Sequence, residues 1–127
     1  MGLRPGVFWA YVAVLAEAGG GLLTVLGLGG PIGPAVLAGD LVVVLIVAHW
    51  PQGFWAGGGK VGWEFPLPLA AGALAIALAG NGAWSLDRLL GLASPDWLLP
   101  AWLVITAIGV LLALGVRSIQ APKPAQS

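Results

Sequence analysis

Leu98-Leu-Pro-Ala-Trp-Leu-Val-Ile-Thr-Ala-Ile-Gly-Val-Leu-Leu-Ala-Leu-Gly-Val116 carries no charged side chain and is closed by Arg117. As a helix rising about 1.5 Å per residue it covers about 28 Å, close to the roughly 30 Å of a bilayer's hydrocarbon core. The run is too long for a strand and does not alternate with period two. A backbone in lipid must also satisfy its own hydrogen bonds, and a helix does so within one segment. Working outward, three further apolar stretches read the same way. Residues 7–28 contain one charge, Glu17; residues 35–50 contain Asp40 and lie between Pro34 and Pro51; residues 65–80 have Pro66 and Pro68 near the start, where a missing N–H costs least. The expected fold class is therefore all-α, an integral membrane four-helix bundle with spans at about 7–28, 35–50, 65–80 and 98–116.

The composition agrees. Of 127 residues, 59% are hydrophobic and only 8% charged, against roughly a quarter charged in soluble domains. Five Lys plus Arg offset five Asp plus Glu, so no basic field exists to hold a phosphate backbone and nucleic acid is excluded as a partner. With no cysteine, one His and one Met, the chain has no disulfide, no thiolate metal site and no bis-His or His/Met haem of its own. No metal set and no cofactor are expected within the chain.

Gly-Gly-Pro-Ile-Gly-Pro at 29–34 and the polar stretch from Asn81-Gly82 to Asp96 read as turns between packed helices. Residues 1–117 form one bundle, and 118–127, with Pro122 and Pro124 and little to bury, are expected to be a disordered tail. Arg4, the apolar run after it and Ala16-Glu17-Ala18 have the outline of a secretory leader. The apolar pattern continues past that cut, however, and Trp9 with Tyr11 suits an interface anchor. In a four-span arrangement Arg4, Lys60, Arg117 and Lys123 fall on the side of the termini and Arg88 opposite, which places the termini in the cytoplasm.

Several residues are candidates for chemistry. Glu17 sits near mid-membrane, where an ionised carboxylate costs at least about 2.5 kcal/mol, so it must be paired, protonated or facing water. Gly20, Gly21 and Thr24 follow it as a small-residue stripe suited to helix packing. Asp40 stands near the start of the second span, where the helix dipole favours a carboxylate. His49 ends that span. The loop beyond it, Pro51 to Glu64, is glycine-rich and flanked by rings, but Lys60 precedes Val61 and the phosphate-loop order is absent. It reads as an interfacial loop anchored by its aromatics. Glu17, His49, Trp55, Trp63 and Glu64 are the candidate ligand-binding residues, a polar cluster beneath an aromatic lid.

Ala16-Glu17-Ala-Gly-Gly-Gly-Leu-Leu-Thr-Val-Leu-Gly-Leu28, then His49-x-x-x-Gly53-Phe54, then a glycine-rich stretch into Trp63-Glu64-Phe65-Pro66, then Ser85-Leu86-Asp87, occur in an order and spacing that resemble the DoxX family. These are small four-helix membrane proteins of bacteria and archaea. The likeness extends over about residues 6 to 90. It departs from the family pattern by lacking the usual first helix, with its Arg and Gly-x-x-Lys, and by carrying an extra C-terminal one. If the family begins in the cytoplasm, losing a leading helix inverts the side of every later loop, and the family-based orientation then opposes the charge count.

The resemblance implies a multi-pass protein of a prokaryotic inner or plasma membrane, sometimes associated with quinone-linked or sulfur-linked oxidoreductase complexes. The expected role is an accessory subunit of a membrane oxidoreductase system with a quinone or lipid pocket. In it rings stack on a head group, His49 donates a hydrogen bond, and Glu17 or Glu64 takes a proton. A small transporter, suggested by Glu17 and Asp40 inside spans, and a scaffold that only docks partners are the alternatives. The expected partners are the lipid bilayer, a membrane or redox protein and further copies of the chain. A self-sufficient enzyme is not expected, since no Ser-His-Asp constellation or metal set is present.

Overall fold

The computed structural model describes residues 5–120. Arg4, Lys123 and the tail beyond residue 120, expected to be disordered, lie outside the described residues. Four principal helices form: α1 (Gly6–Leu26), α2 (Ile32–Gln52), α3 (Pro66–Ala79) and, after a single turn α4 (Leu86–Leu89), α5 (Leu98–Gln120). Three of them, α1, α2 and α5, are long and apolar enough to cross a membrane. The chain is thus an all-α, multi-pass integral membrane protein associated with the lipid bilayer. At 14 residues α3 is shorter, covering about 21 Å.

The boundaries follow local chemistry. α2 starts at Ile32, earlier than Pro34 suggested, because Pro34 occupies the first turn, where its missing N–H has no intrahelical partner to lose. α3 begins with Pro66 for the same reason. α5 continues three residues past Arg117 to Gln120, so the tail expected from 118 starts as helix. Two spans contain a π-helical turn, Leu15–Gly19 in α1 and Leu45–His49 in α2.

α2 is the central helix, packed against α1, α3 and α5. Its neighbours come close because small residues face each other. α3 presents Ala70, Ala73 and Ala77, all buried, at helical spacing. Against α1, a Cβ placed on Gly33 would lie 2.6 Å from the Leu23 Cβ and 2.9 Å from the Gly20 carbonyl oxygen. Against α5, a Cβ on Gly39 would overlap the methyl of Thr106. In lipid, where tails are as apolar as leucine, such close packing is what holds helices together. α5 starts beside Gly30 and crosses α2 at Gly39, so it runs parallel to α2. This places Lys60 and Arg117 at one end of the bundle and Arg88 at the other. The outer faces of α1 and α5 are exposed, with large apolar side chains such as Leu15, Leu22, Leu111 and Leu112.

Candidate functional site

A groove of about 570 Å³ runs between the first half of α1 and the middle of α5, with α2 as its floor. Its walls are almost wholly apolar, and Phe8, Trp9 and Trp102 supply rings. Phe8 and Trp9 meet edge to face, with centroids 5.5 Å apart. Two polar side chains interrupt this surface, Asp40 on α2 and Thr106 on α5. The Oδ2 of Asp40 and the Oγ1 of Thr106 are both buried and have no hydrogen-bond partner among the described residues. A buried polar atom left unpaired costs about 1–3 kcal/mol, and two at one helix crossing mark a place where a bound molecule can supply what the chain does not. Asp40 lies eight residues beyond Ile32, about 12 Å along α2, well past the first turn in which a helix dipole favours a carboxylate.

Glu17 does not line the groove, although its charge is felt at Asp40. It is exposed on the π-helical turn of α1, whereas Gly20, three residues on, is buried against α2. The extra residue taken up by the π-turn shifts Glu17 off the face that Gly20 packs. Thr24 returns its hydroxyl to the carbonyl of Gly20, 2.6 Å away, and so is satisfied within its own helix.

His49, Trp63 and Glu64 are brought together by the loop after α2, which forms an internally bonded hairpin. Gly57 and Lys60 exchange backbone hydrogen bonds of 3.1 and 3.0 Å. The Gly58-Gly59 turn between them has φ of 57° and 82°, the left-handed pair that a two-residue hairpin turn requires. The ring of His49 contacts the Val61 carbonyl through Nδ1 at 2.8 Å. A carbonyl only accepts, so Nδ1 carries the proton and a neutral ring offers Nε2 as an acceptor. The Glu64 carboxylate accepts the Ala56 N–H at 2.8 Å, and the Gln52 side chain accepts from Val61 N–H at 3.0 Å. Trp63 stacks on Trp50 with centroids 5.3 Å apart and meets Phe54 edge-on at 4.5 Å. Trp55 packs on Phe54 and is otherwise 75% exposed. His49 and Glu64, expected beneath an aromatic lid, thus each hold one backbone partner in the hairpin, and none of Glu17, His49, Trp55, Trp63 and Glu64 lines the groove.

At the other end of the bundle Asp87 is buried and accepts three hydrogen bonds: Gly29 N–H at 2.9 Å, Gly30 N–H at 2.7 Å and the Asn81 amide at 2.9 Å. Burial pushes its carboxyl up, but the two backbone N–H groups and the amide outweigh this and hold it below the ordinary 3.8. Ser85 caps the α4 turn, accepting from the Arg88 N–H at 3.3 Å. Among the described residues no cluster of His, Cys, Asp and Glu is arranged to hold a metal ion.

Asp40 stands out in the sequence as a carboxyl inside a span, whereas Thr106 and the groove leave no signal there, because the groove forms only when α2 and α5 cross. For Asp87 the signal was present in Ser85-Leu86-Asp87, though not its partners 57 and 58 residues away.

The DoxX family model matches residues 1–50, consistent with the likeness carried by the motif around Glu17. That segment contains α1 and nearly all of α2, and so both Trp9 and Asp40 of the groove. Comparison with curated proteins and with solved structures gives no significant match.

Proposed function

We propose that the chain, DoxX-like over residues 1–50, is an accessory subunit of a membrane oxidoreductase system and holds a quinone or lipid in the groove between α1 and α5. One observation carries this reading: an apolar, ring-lined groove of about 570 Å³ with two unpaired polar atoms at one helix crossing. Its size lies within the roughly 300–1,000 Å³ of small-molecule sites, and the mix of apolar walls with a few polar groups is what such sites use to fix orientation. The rings of Phe8, Trp9 and Trp102 offer flat faces to a head group. The exposed sides of α1 and α5 leave ample surface for a membrane partner or a further copy.

Reconstituted protein titrated with ubiquinone and menaquinone analogues tests the pocket. Saturable binding by the native chain is expected. Gly109 lines the groove and has open space at its Cβ, so Gly109→Leu is expected to fill the site and abolish binding with the fold retained. Absence of binding by the native chain, or equal binding by both, would remove the reading. Purification from native membranes tests the role, with a stoichiometric redox protein as the expected companion.

A further inference from the structure

We infer that the cavity at the Arg88 end of the bundle seats the head group of a phospholipid bearing a primary ammonium, with Arg88 on its phosphate and Asp96 on its ammonium. The site lies apart from the α1–α5 groove and does not rest on the function proposed for it. The cavity holds about 530 Å³ between the last turn of α3, the α4 turn and the lead into α5. Its floor is fixed in place. Asp87 there accepts from Gly29, Gly30 and Asn81, and Gly30 abuts Ser94 so closely that a Cβ would overlap the Ser94 hydroxyl. Two exposed side chains of opposite charge, Arg88 and Asp96, line the same cavity. Among the described residues neither forms an ion pair, with the other or with a third group, so the space between them suits a ligand that carries both charges.

The backbone decides which cation fits. The Gly80 N–H donates to the Ile76 carbonyl at 2.9 Å and closes α3. The carbonyls of Ala77, Leu78 and Ala79 are therefore the last of the helix, have no partner within it and carry the negative end of its dipole. These residues line the cavity too. Free carbonyls beside a carboxylate call for a cation that donates several hydrogen bonds, as a primary ammonium does. A trimethylated ammonium has no N–H to give them and leaves them unpaired. On the other side of the cavity, the planar guanidinium of Arg88 matches phosphate oxygens. A head group with a phosphate and hydroxyls alone would set its charge against Asp87 and Asp96 with no cation to offset it.

The mouth of the cavity identifies the source as lipid. Leu78 and Leu92 line it and are exposed, and Trp84, Leu89, Leu90 and Trp97 are exposed on the connection that builds it. A rim of this kind belongs in the head-group layer, where indole rings settle. The apolar side of the rim gives an acyl chain a path out along α3, from which a soluble phosphoethanolamine would gain nothing.

Native mass spectrometry of the full chain in detergent, titrated with phosphatidylethanolamine, phosphatidylcholine and phosphatidylglycerol of identical acyl chains, measures the three dissociation constants. Phosphatidylethanolamine is expected to bind at least about tenfold more tightly than the other two. Asp96→Asn should bring it within about threefold of phosphatidylcholine while leaving phosphatidylcholine unchanged, and Arg88→Gln should weaken both lipids together. Both side chains are exposed, so these variants probe the site without disturbing the fold. Equal binding of phosphatidylethanolamine and phosphatidylcholine by the native chain would overturn the inference, as would a preference that survives Asp96→Asn. Displacement of the lipid by soluble glycerophosphoethanolamine at the lipid's own dissociation constant would overturn the assignment to lipid. Gly109→Leu, which fills the α1–α5 groove, should leave phosphatidylethanolamine binding unchanged. Loss of that binding would move the lipid to the groove and overturn the inference as well.

Discussion

The carboxylate of Asp87 accepts the backbone N–H of Gly30 at 2.7 Å across 57 residues of chain. The same side chain takes the N–H of Gly29 and the amide of Asn81, while the Asp87 N–H donates to the Gly27 carbonyl at 3.1 Å. One acidic residue on the α3–α5 connection thus pins the α1–α2 connection. Gly30 has a φ of 59°, and with Gly29 it aims successive N–H groups into one concavity, an arrangement suited to an anionic oxygen.

Asp87→Ala is expected to destabilise the folded chain by about 1–3 kcal/mol, since it leaves buried donors unpaired. Thermal unfolding in detergent micelles measures this, and a melting temperature equal to that of the native chain would contradict the clamp. Asp87→Asn should fare little better, because an amide cannot accept at both positions.

Stability should also depend on acid through this residue. The folded state lowers the carboxyl below its ordinary 3.8, so its contribution is complete above that value and is lost as the pH falls through the lower folded one. A melting profile flat in this respect from neutral pH to about 5, and falling below about 4, is the expected result. In Asp87→Ala the fall should be smaller by the part that Asp87 supplies.

The helix crossings give a packing test. Gly33→Ala places a methyl 2.6 Å from the Leu23 Cβ and 2.9 Å from the Gly20 carbonyl, so α1 and α2 must separate, at a cost of about 1–3 kcal/mol. Gly21→Ala, one residue from the contact and with open space at its Cβ, should leave unfolding unchanged.

Four helical segments were legible in the sequence because lipid imposes its demand locally: long apolar runs, prolines confined to helix ends, glycine-rich breaks between. The tertiary pairs were not. Periodicity placed Glu17 with Gly20, and the π-turn at Leu15–Gly19 separates them. A π-turn depends on packing around it and leaves no composition signal. His49 and Glu64 carried functional promise as isolated polar residues, yet Val61 and Ala56 occupy them. Those are backbone partners, which residue types do not reveal. Asp40 and Thr106, 66 positions apart by their numbers, line one groove only because α2 and α5 cross at Gly39.

The hairpin after α2 gives a fourth test. A Cβ on Gly62 would run into the Phe54 carbonyl, so Gly62→Ala should open the hairpin and speed trypsin cleavage at the exposed Lys60. Binding of the ligand proposed for the groove, which other elements form, should not change. Mass analysis of timed digests and parallel titration check both halves, and loss of binding together with loss of hairpin order would tie the two sites together.

Glu17 supplies the last. It is exposed on α1 with no hydrogen-bond partner among the described residues, and a carboxylate at mid-depth costs about 2.5 kcal/mol or more. Glu17→Leu in dilute, lipid-filled nanodiscs is expected to raise the melting temperature. A decrease would mean that the carboxyl makes a stabilising interaction within its own chain.

The 14 residues of α3 have a consequence for the membrane. With about 21 Å of apolar helix beside neighbours matched to a normal bilayer, this flank presents hydrophobic mismatch to the surrounding lipid. Acyl chains against Leu69, Leu74 and Ile76, all exposed, must shorten or splay, drawing the head groups inward on that side alone. The protein would then favour thin, short-chain lipid domains and lean within them, with its least strained contact where a second short element abuts the same flank.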